Sequence, residues 1–295
     1  MIGRAGRRRA WRTAAAAAAL VVSGAVSGPA SAAAQDPPPL RCSDVGNNLI
    51  DWSPPGDLVV DDTEGTCIIF RASVRGDVTV LPGASFTVQR ATVDGDIRSA
   101  GALTVHESTI GGDVVLESSD TATLEAAPVE GWPSTFHGDV TGEAVDVRLE
   151  RADVWGTYDV AVRDTTRIRD GARLIGPATV RGERLLVHDA TFLNGLTTSG
   201  SGDVLVCRTN VAGDLRVTAL TDYARLGVEV AERYWQCATT VSGDLVLEDN
   251  PHSVDLGQIG VAGDLVCTGN SGPRGVTLHP YGTHVHGTRT GQCAP

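Results

Sequence analysis

One short string returns along most of the chain: an apolar residue, any residue, then Gly-Asp and a second apolar residue. It reads Val74-Arg75-Gly76-Asp77-Val78, Val93-Asp94-Gly95-Asp96-Ile97, Ile110-Gly111-Gly112-Asp113-Val114 and Phe136-His137-Gly138-Asp139-Val140. It returns as Val211-Ala212-Gly213-Asp214-Leu215, Val241-Ser242-Gly243-Asp244-Leu245 and Val261-Ala262-Gly263-Asp264-Leu265. Looser copies centre on Gly156, Gly176, Gly195 and Gly287, giving eleven framework glycines separated by 17 to 30 residues. Two residues before each glycine the side chain is apolar. Four before, it is small in every copy except at Ile259. A repeat of this length is one supersecondary unit that cannot bury its apolar face alone and must stack on its neighbours.

Within each copy the hydrophobic period is two. Val78 and Val80 alternate with Asp77 and Thr79, and Val145, Val147 and Leu149 alternate with Asp146 and Arg148. That alternation predicts short strands with one buried face, and the glycine is expected to supply backbone freedom at a corner. The predicted fold is all-β: a single-stranded, right-handed parallel β-helix of about eleven coils, its handedness taken from the general crossover preference. At ~4.8 Å per coil the stack would rise about 50 Å. A leucine-rich repeat is excluded by the missing Leu-x-x-Leu-x-Leu spacing. Separate β-sandwiches remain the rival architecture. Residues 35–73 are assigned to an N-terminal cap and first strand region, and residues 74–295 to the β-helix with its C-terminal cap. Three repeat intervals are long, 112–138, 213–243 and 263–287. They must leave the stack as loops, with a short helix predicted over Asp222–Trp235.

Ahead of the repeats, Arg4, Arg7, Arg8, Arg9 and Arg12 precede an apolar run that ends in Ala30-Ser31-Ala32-Ala33-Ala34. This is the pattern of a cleavable export signal over residues 1–34, and the run is too short for a membrane span. Removing it would take the net charge from -12 to about -17, since five Arg and no acids leave. Such a charge disfavours nucleic acid and anionic membranes as partners. All six cysteines, Cys42, Cys67, Cys207, Cys237, Cys267 and Cys293, follow this segment. An even count in an exported chain predicts disulfides, here between sequence neighbours: Cys42–Cys67, Cys207–Cys237 and Cys267–Cys293. The expected location is secreted, extracellular or cell wall.

The Gly-Asp copies, and the ending from Val261-Ala262-Gly263-Asp264-Leu265-Val266-Cys267 to Gly291-Gln292-Cys293, resemble a family of secreted actinobacterial β-solenoid proteins. That family usually carries Gly-Asn where this chain has Gly-Asp, and the resemblance implies a fold but no activity. The Gly-Asp repeats are also similar to those of bactofilins, the polymer-forming bacterial β-helix scaffolds. Those lack the cysteines and are shorter, so this likeness too speaks to fold.

The chain has no Lys, which excludes Schiff-base enzymes, Walker-A phosphate loops and Ser-Lys hydrolases. No Gly-x-Ser-x-Gly, complete His-Glu-x-x-His or EF-hand loop is present, and no catalytic residue or cofactor is assigned. The one repeated acidic constellation is the ladder Asp77, Asp96, Asp113, Asp139, Asp214, Asp244 and Asp264, interrupted at Thr157, Pro177 and Leu196. Each Asp is expected to bond backbone N–H groups of its own turn. The competing expectation is a cation such as Ca²⁺ at Asp77, Asp96, Asp113, Asp244 and Asp264. Arg75-Gly76-Asp77 belongs to the repeat framework rather than to an adhesion site. His279, His284 and His286, and the group Asp164, Arg167, Arg169 and Asp170, are read as solvated strand faces. Aromatics are only 4% of residues and concentrate in the insertions, where Trp132, Tyr234 and Trp235 are the candidate carbohydrate contacts. The functional expectation is an exported, non-enzymatic solenoid: a structural, adhesive or interaction module with cell-wall polysaccharide or another envelope protein as partner. The alternative is a polysaccharide-binding or polysaccharide-degrading β-helix.

Overall fold

The computed structural model describes residues 38–125, 131–228, 237–279 and 282–295. The expected signal segment, Tyr234 and Trp235 lie outside them. Each coil consists of three short strands. The first follows the Gly-Asp pair, as in Val78–Val80, Ile97–Ser99 and Leu245–Glu248. The second follows one turn later, as in Ser85–Gln89 and Ala102–His106. The third carries the residues just ahead of the next glycine, as in Ser73–Val74, Thr92–Val93 and Ser134–Phe136. Every strand pairs in parallel with its equivalent in the next coil, so that Val78 aligns with Ile97, Val114, Val140, Tyr158 and Ala178 in turn. Stacking of this kind builds a parallel β-solenoid of about 12 turns with three long faces. The third face is a single 11-stranded sheet. In four successive coils the first and second strands run together, as Val114–Glu125, Val140–Glu150, Tyr158–Arg169 and Ala178–His188.

The interior is a column of stacked apolar side chains. Val74, Val93, Ile110, Phe136 and Val154 succeed one another on the third face, all fully buried. Each coil thus covers the apolar ends of its neighbour, which removes from water a surface that no single coil could bury. Most of the small residues four before each glycine, Ala72, Ala91, Ser108, Ser134, Ala152, Ala172, Thr209 and Thr239, are also buried. Ser108, Thr209 and Thr239 turn their hydroxyls onto the carbonyls of His106, Cys207 and Cys237, which satisfies polar atoms otherwise stranded inside. Near the C-terminus a buried amide ladder does the same work: Asn250 donates to Asn270 (2.7 Å), and Gln292 both accepts from and donates to the Asn270 backbone.

Several expectations are corrected. The stacking starts at Leu40 rather than at residue 74, because Leu40–Arg41 pairs with Leu58–Val59 and Asn48–Ile50 with Ile68–Phe70. Gly56-Asp57 is therefore a further copy, disguised by buried Pro54 in the apolar slot. The one helix among the described residues is Cys42–Val45. Within the segment predicted as a helix, Ala224–Leu226 is a strand of the second face. Gly195 is not a framework glycine: it aligns with Asp214, and Phe192, not the exposed Leu193, fills the apolar slot. The framework glycines Gly76, Gly95, Gly112 and Gly138 have no positive φ, so backbone freedom is not their contribution. A Cβ on any of them would lie under 3 Å from the preceding coil's backbone and Asp carboxylate. They are glycine because the coils touch there. The three disulfides pair as expected, Cys42–Cys67, Cys207–Cys237 and Cys267–Cys293. They fit an oxidising, extracellular-type environment.

Candidate functional site

The Asp ladder is a real column, but its bonds run between coils and not within a turn. Oδ1 of Asp57 accepts the backbone N–H of Asp77 (2.9 Å), Asp77 that of Asp96 (2.9 Å), Asp96 that of Asp113 (2.9 Å) and Asp113 that of Asp139 (2.8 Å). Asp139 then caps Thr157 (2.6 Å). Farther along, Asp214 caps Asp244 (2.8 Å), Asp244 caps Asp264 (2.8 Å) and Asp264 caps Thr288 (2.7 Å). The interruption has a simple logic. Thr157 offers no carboxylate to the next coil, but the residue there is Pro177, which has no N–H to cap. Gly195, not Leu196, is the third interruption. The Thr288 N–H and then its hydroxyl hold the Asp264 carboxyl below the ordinary carboxylate range. With an oxygen of each carboxylate committed to backbone, and no group of three His, Cys, Asp or Glu placed to hold a metal among the described residues, this column holds the stack together.

The other sequence candidates are dispersed. Arg167 faces Asp146 (3.9 Å), Arg169 pairs with Glu150 (2.6 Å), and Asp164 accepts from Thr165. His284 lies on the third face, whereas His279 lies on the second beside Asp255 (3.9 Å). Asp255 belongs to a network that the sequence did not disclose. It accepts from the Tyr223 hydroxyl and faces Arg274 (3.8 Å), and the Tyr223 ring lies between the Arg225 and Arg274 guanidinium groups. Burial, then the bond to Asp255, push the Tyr223 pKa up to about 12, so the phenol stays a proton donor at neutral pH.

Trp132 is different. It is 83% exposed and stands at the rim of an open depression of about 940 Å³ on the third face. The floor is a row of half-buried hydroxyls, Ser73, Thr92, Thr109 and Thr135, one per coil. They form a row because parallel register stacks equivalent positions and period two points them outward. The wall is the corner between second and third strands. There the chain takes positive φ at eight non-glycine residues, Asp51, Arg71, Arg90, Glu107, Arg151, Asp170, Asp189 and Arg208, with φ from 46° to 58°, and one coil adds Gly171 (φ 88°) after Asp170. These residues pair along the column: Arg71 with Asp51 (2.7 Å), Arg90 with Glu107, and Arg208 with Asp189. Glu107 has a side chain only 4% exposed. One of its oxygens is held by Arg90, while Oε1 has no partner among the described residues. A buried carboxylate oxygen without a donor is costly unless something supplies one.

Neither protein-family models, curated proteins nor solved structures match this chain. The site is therefore read from its own chemistry. All three described tryptophans lie along the third face and are exposed: Trp52 (44%), Trp132 (83%) and Trp155 (53%). Trp155 lies 6.2 Å from His137, ring centre to ring centre. Of the candidate contacts named from the sequence, the depression uses Trp132; Arg71, Arg90, Glu107 and Trp155 were missed. Their signal was a charged residue five positions before the framework glycine, as in Arg71, Arg90, Glu107, Arg151 and Arg208.

Proposed function

We propose that the protein is an exported, non-enzymatic β-solenoid that acts as an interaction module by binding an uncharged polysaccharide on its third face. The observation that carries this reading is Trp132 standing exposed beside a row of hydroxyls and a buried, half-satisfied Glu107. An indole face supplies apolar stacking area for a sugar ring. The row of hydroxyls can donate to and accept from sugar hydroxyls, while the guanidinium groups of Arg71 and Arg90 supply donors only. The charges that line the depression are internally compensated, Arg71 by Asp51 and Arg90 by Glu107, which favours a neutral chain over an anionic one. The signal-like N-terminus and the three disulfides support export to the cell wall or medium.

A degrading enzyme is the second reading. Inverting hydrolysis needs two carboxylates about 6.5–9.5 Å apart, and retaining hydrolysis a closer pair. Among the described residues Glu107 is the one carboxylate lining the depression, one short of the pair that either route to hydrolysis needs. This supports binding without cleavage.

The test is retention on insoluble cellulose, chitin and peptidoglycan, comparing the wild type with Trp132→Ala. The expected result is retention of the wild type on at least one polymer and a tenfold or greater loss in the variant. A wild type that passes through all three would sink the proposal, and release of reducing ends would move it to the enzymatic reading.

A further inference from the structure

We infer that the third face carries a second glycan subsite, so that one extended chain running along the solenoid axis engages both. This inference rests on the reading above. A second open depression, of about 830 Å³, is lined by Asp189, Thr191, Arg208, Asn210, Ala238 and Thr240. It repeats the construction of the first. Asp189 and Arg208 are a charged pair at the same left-handed corner as Glu107 and Arg90. Thr191, Asn210 and Thr240 occupy the same outward row as Thr92, Thr109 and Thr135, since the third-face strands align them coil by coil. Thr240 donates to Asn210 (2.9 Å), which leaves the amide nitrogen of Asn210 facing outward as a donor.

The spacing makes them parts of one track. From Thr109 to Asn210 the sheet advances five strands, or about 24 Å at ~4.8 Å per rung. The intervening coils present the ion pair Asp153–Arg173 (3.4 Å), again compensated, with exposed Trp155 beside it. A linear polymer laid along the axis meets neutral, hydrogen-bonding surface throughout. Once held at one subsite it reaches the other at high effective concentration, which can raise affinity by about 10²–10⁴-fold when the chain spans both. A fragment shorter than the separation gains nothing from the second subsite.

The experiment is calorimetric titration with two pairs of uncharged probes, cellotetraose with hydroxyethylcellulose and chitotetraose with glycol chitin. The proteins are the wild type, Trp132→Ala and the double variant Asn210→Ala with Thr240→Ala. In at least one pair the wild type should take two equivalents of tetramer and bind the polymer at least tenfold more tightly. The double variant, altered only at outward positions, should fall to one equivalent and lose the polymer advantage. Tetramer binding that is sensitive to Trp132 but shows one equivalent and no length effect would overturn the second subsite and leave the first reading intact. The same holds if the double variant binds polymer like the wild type. No binding of any probe would overturn both.

Discussion

Each coil turns twice around the third face, and the two corners meet the same requirement by opposite means. At the corner leading into the first strand, coils approach so closely that only glycine fits, and the following Asp reaches across to cap the next backbone N–H. At the corner leading into the third strand, eight charged residues take positive φ, with a glycine added only at Gly171. Such a conformation costs about 1–2 kcal/mol for an L-residue, and it persists where surrounding structure fixes it. The parallel strands on either side do so. The first corner commits one oxygen of each carboxylate to the neighbouring coil's backbone. The second keeps its charges at the surface, pairs them along the column, and is where both depressions form. Sites belong to the corner whose side chains the stack does not consume.

The largest expected effect breaks the first corner. In Gly95→Ala the new methyl would lie under 3 Å from the Gly76 backbone and the Asp77 carboxylate. Overpacking of this kind costs about 1–3 kcal/mol, outweighing the ~0.4–1 kcal/mol that alanine gains by restricting the unfolded chain. The net loss should lower the melting temperature by about 2–8 °C. Thermal denaturation checks it, and an unchanged or raised midpoint would mean that the coils are not in contact there.

A smaller effect tests the cap. Asp96→Ala leaves the Asp113 N–H without its acceptor. A bond to a charged group is worth about 1.5–3 kcal/mol when buried, and solvent at this corner reduces it to about 1 kcal/mol. Asp96→Asn retains an acceptor oxygen and should recover most of the loss; equal losses in both would assign the role to charge. Three bonded carboxyls, one of them the last of this column, predict acid sensitivity. The carboxyls of Asp61, beside Arg41 and Ser43, of Asp62, beside Asn47, and of Asp264, capping Thr288, are all held below 3.8 when folded. Their stabilisation is complete above that ordinary value and is lost as pH falls through the lower folded values. The melting temperature should therefore hold steady down to about pH 4 and decline below it; a flat profile to pH 2 would contradict the bonds.

The difference between the corners also explains what was legible. The Gly-Asp corner repeats the same residues because contact geometry dictates them, so parallel strands, coil count and stacking direction were readable from spacing. The disulfides were readable because each closes about one coil, with separations of 25, 30 and 26 residues. Asp57 was missed because proline filled the apolar slot. Gly195 was misaligned because its coil replaces the Asp with glycine, and matching on glycine alone shifted the register by one. The charged corner was not legible because its requirement is a backbone angle, which Asp, Arg and Glu meet equally, leaving no constant letter. Trp132 was found because aromatics are scarce. Glu107 and Arg90 were not, since they meet only through stacking, 17 residues apart. Tyr223 and Asp255, 32 residues apart, escaped for the same reason.

The smallest expected effect is the sharpest test of the comparison. Asp170 sits in the left-handed column at φ 58°, half-exposed, with an ion pair to Arg169 at 3.4 Å. Asp170→Gly relieves about 1 kcal/mol of backbone strain. Against that stand the ~0.5–1 kcal/mol by which glycine loosens the unfolded chain and the ~0–1 kcal/mol of an exposed ion pair. The terms nearly cancel, so the melting temperature should move by less than about 2 °C. Glycine would then be tolerated at a position where the chain carries aspartate, while alanine is rejected where the chain uses glycine. A drop as large as that of Gly95→Ala would show that the charged side chain, and not the backbone angle, holds this corner. The second corner would then be as structural as the first, and the reason for placing ligand sites along it would be gone.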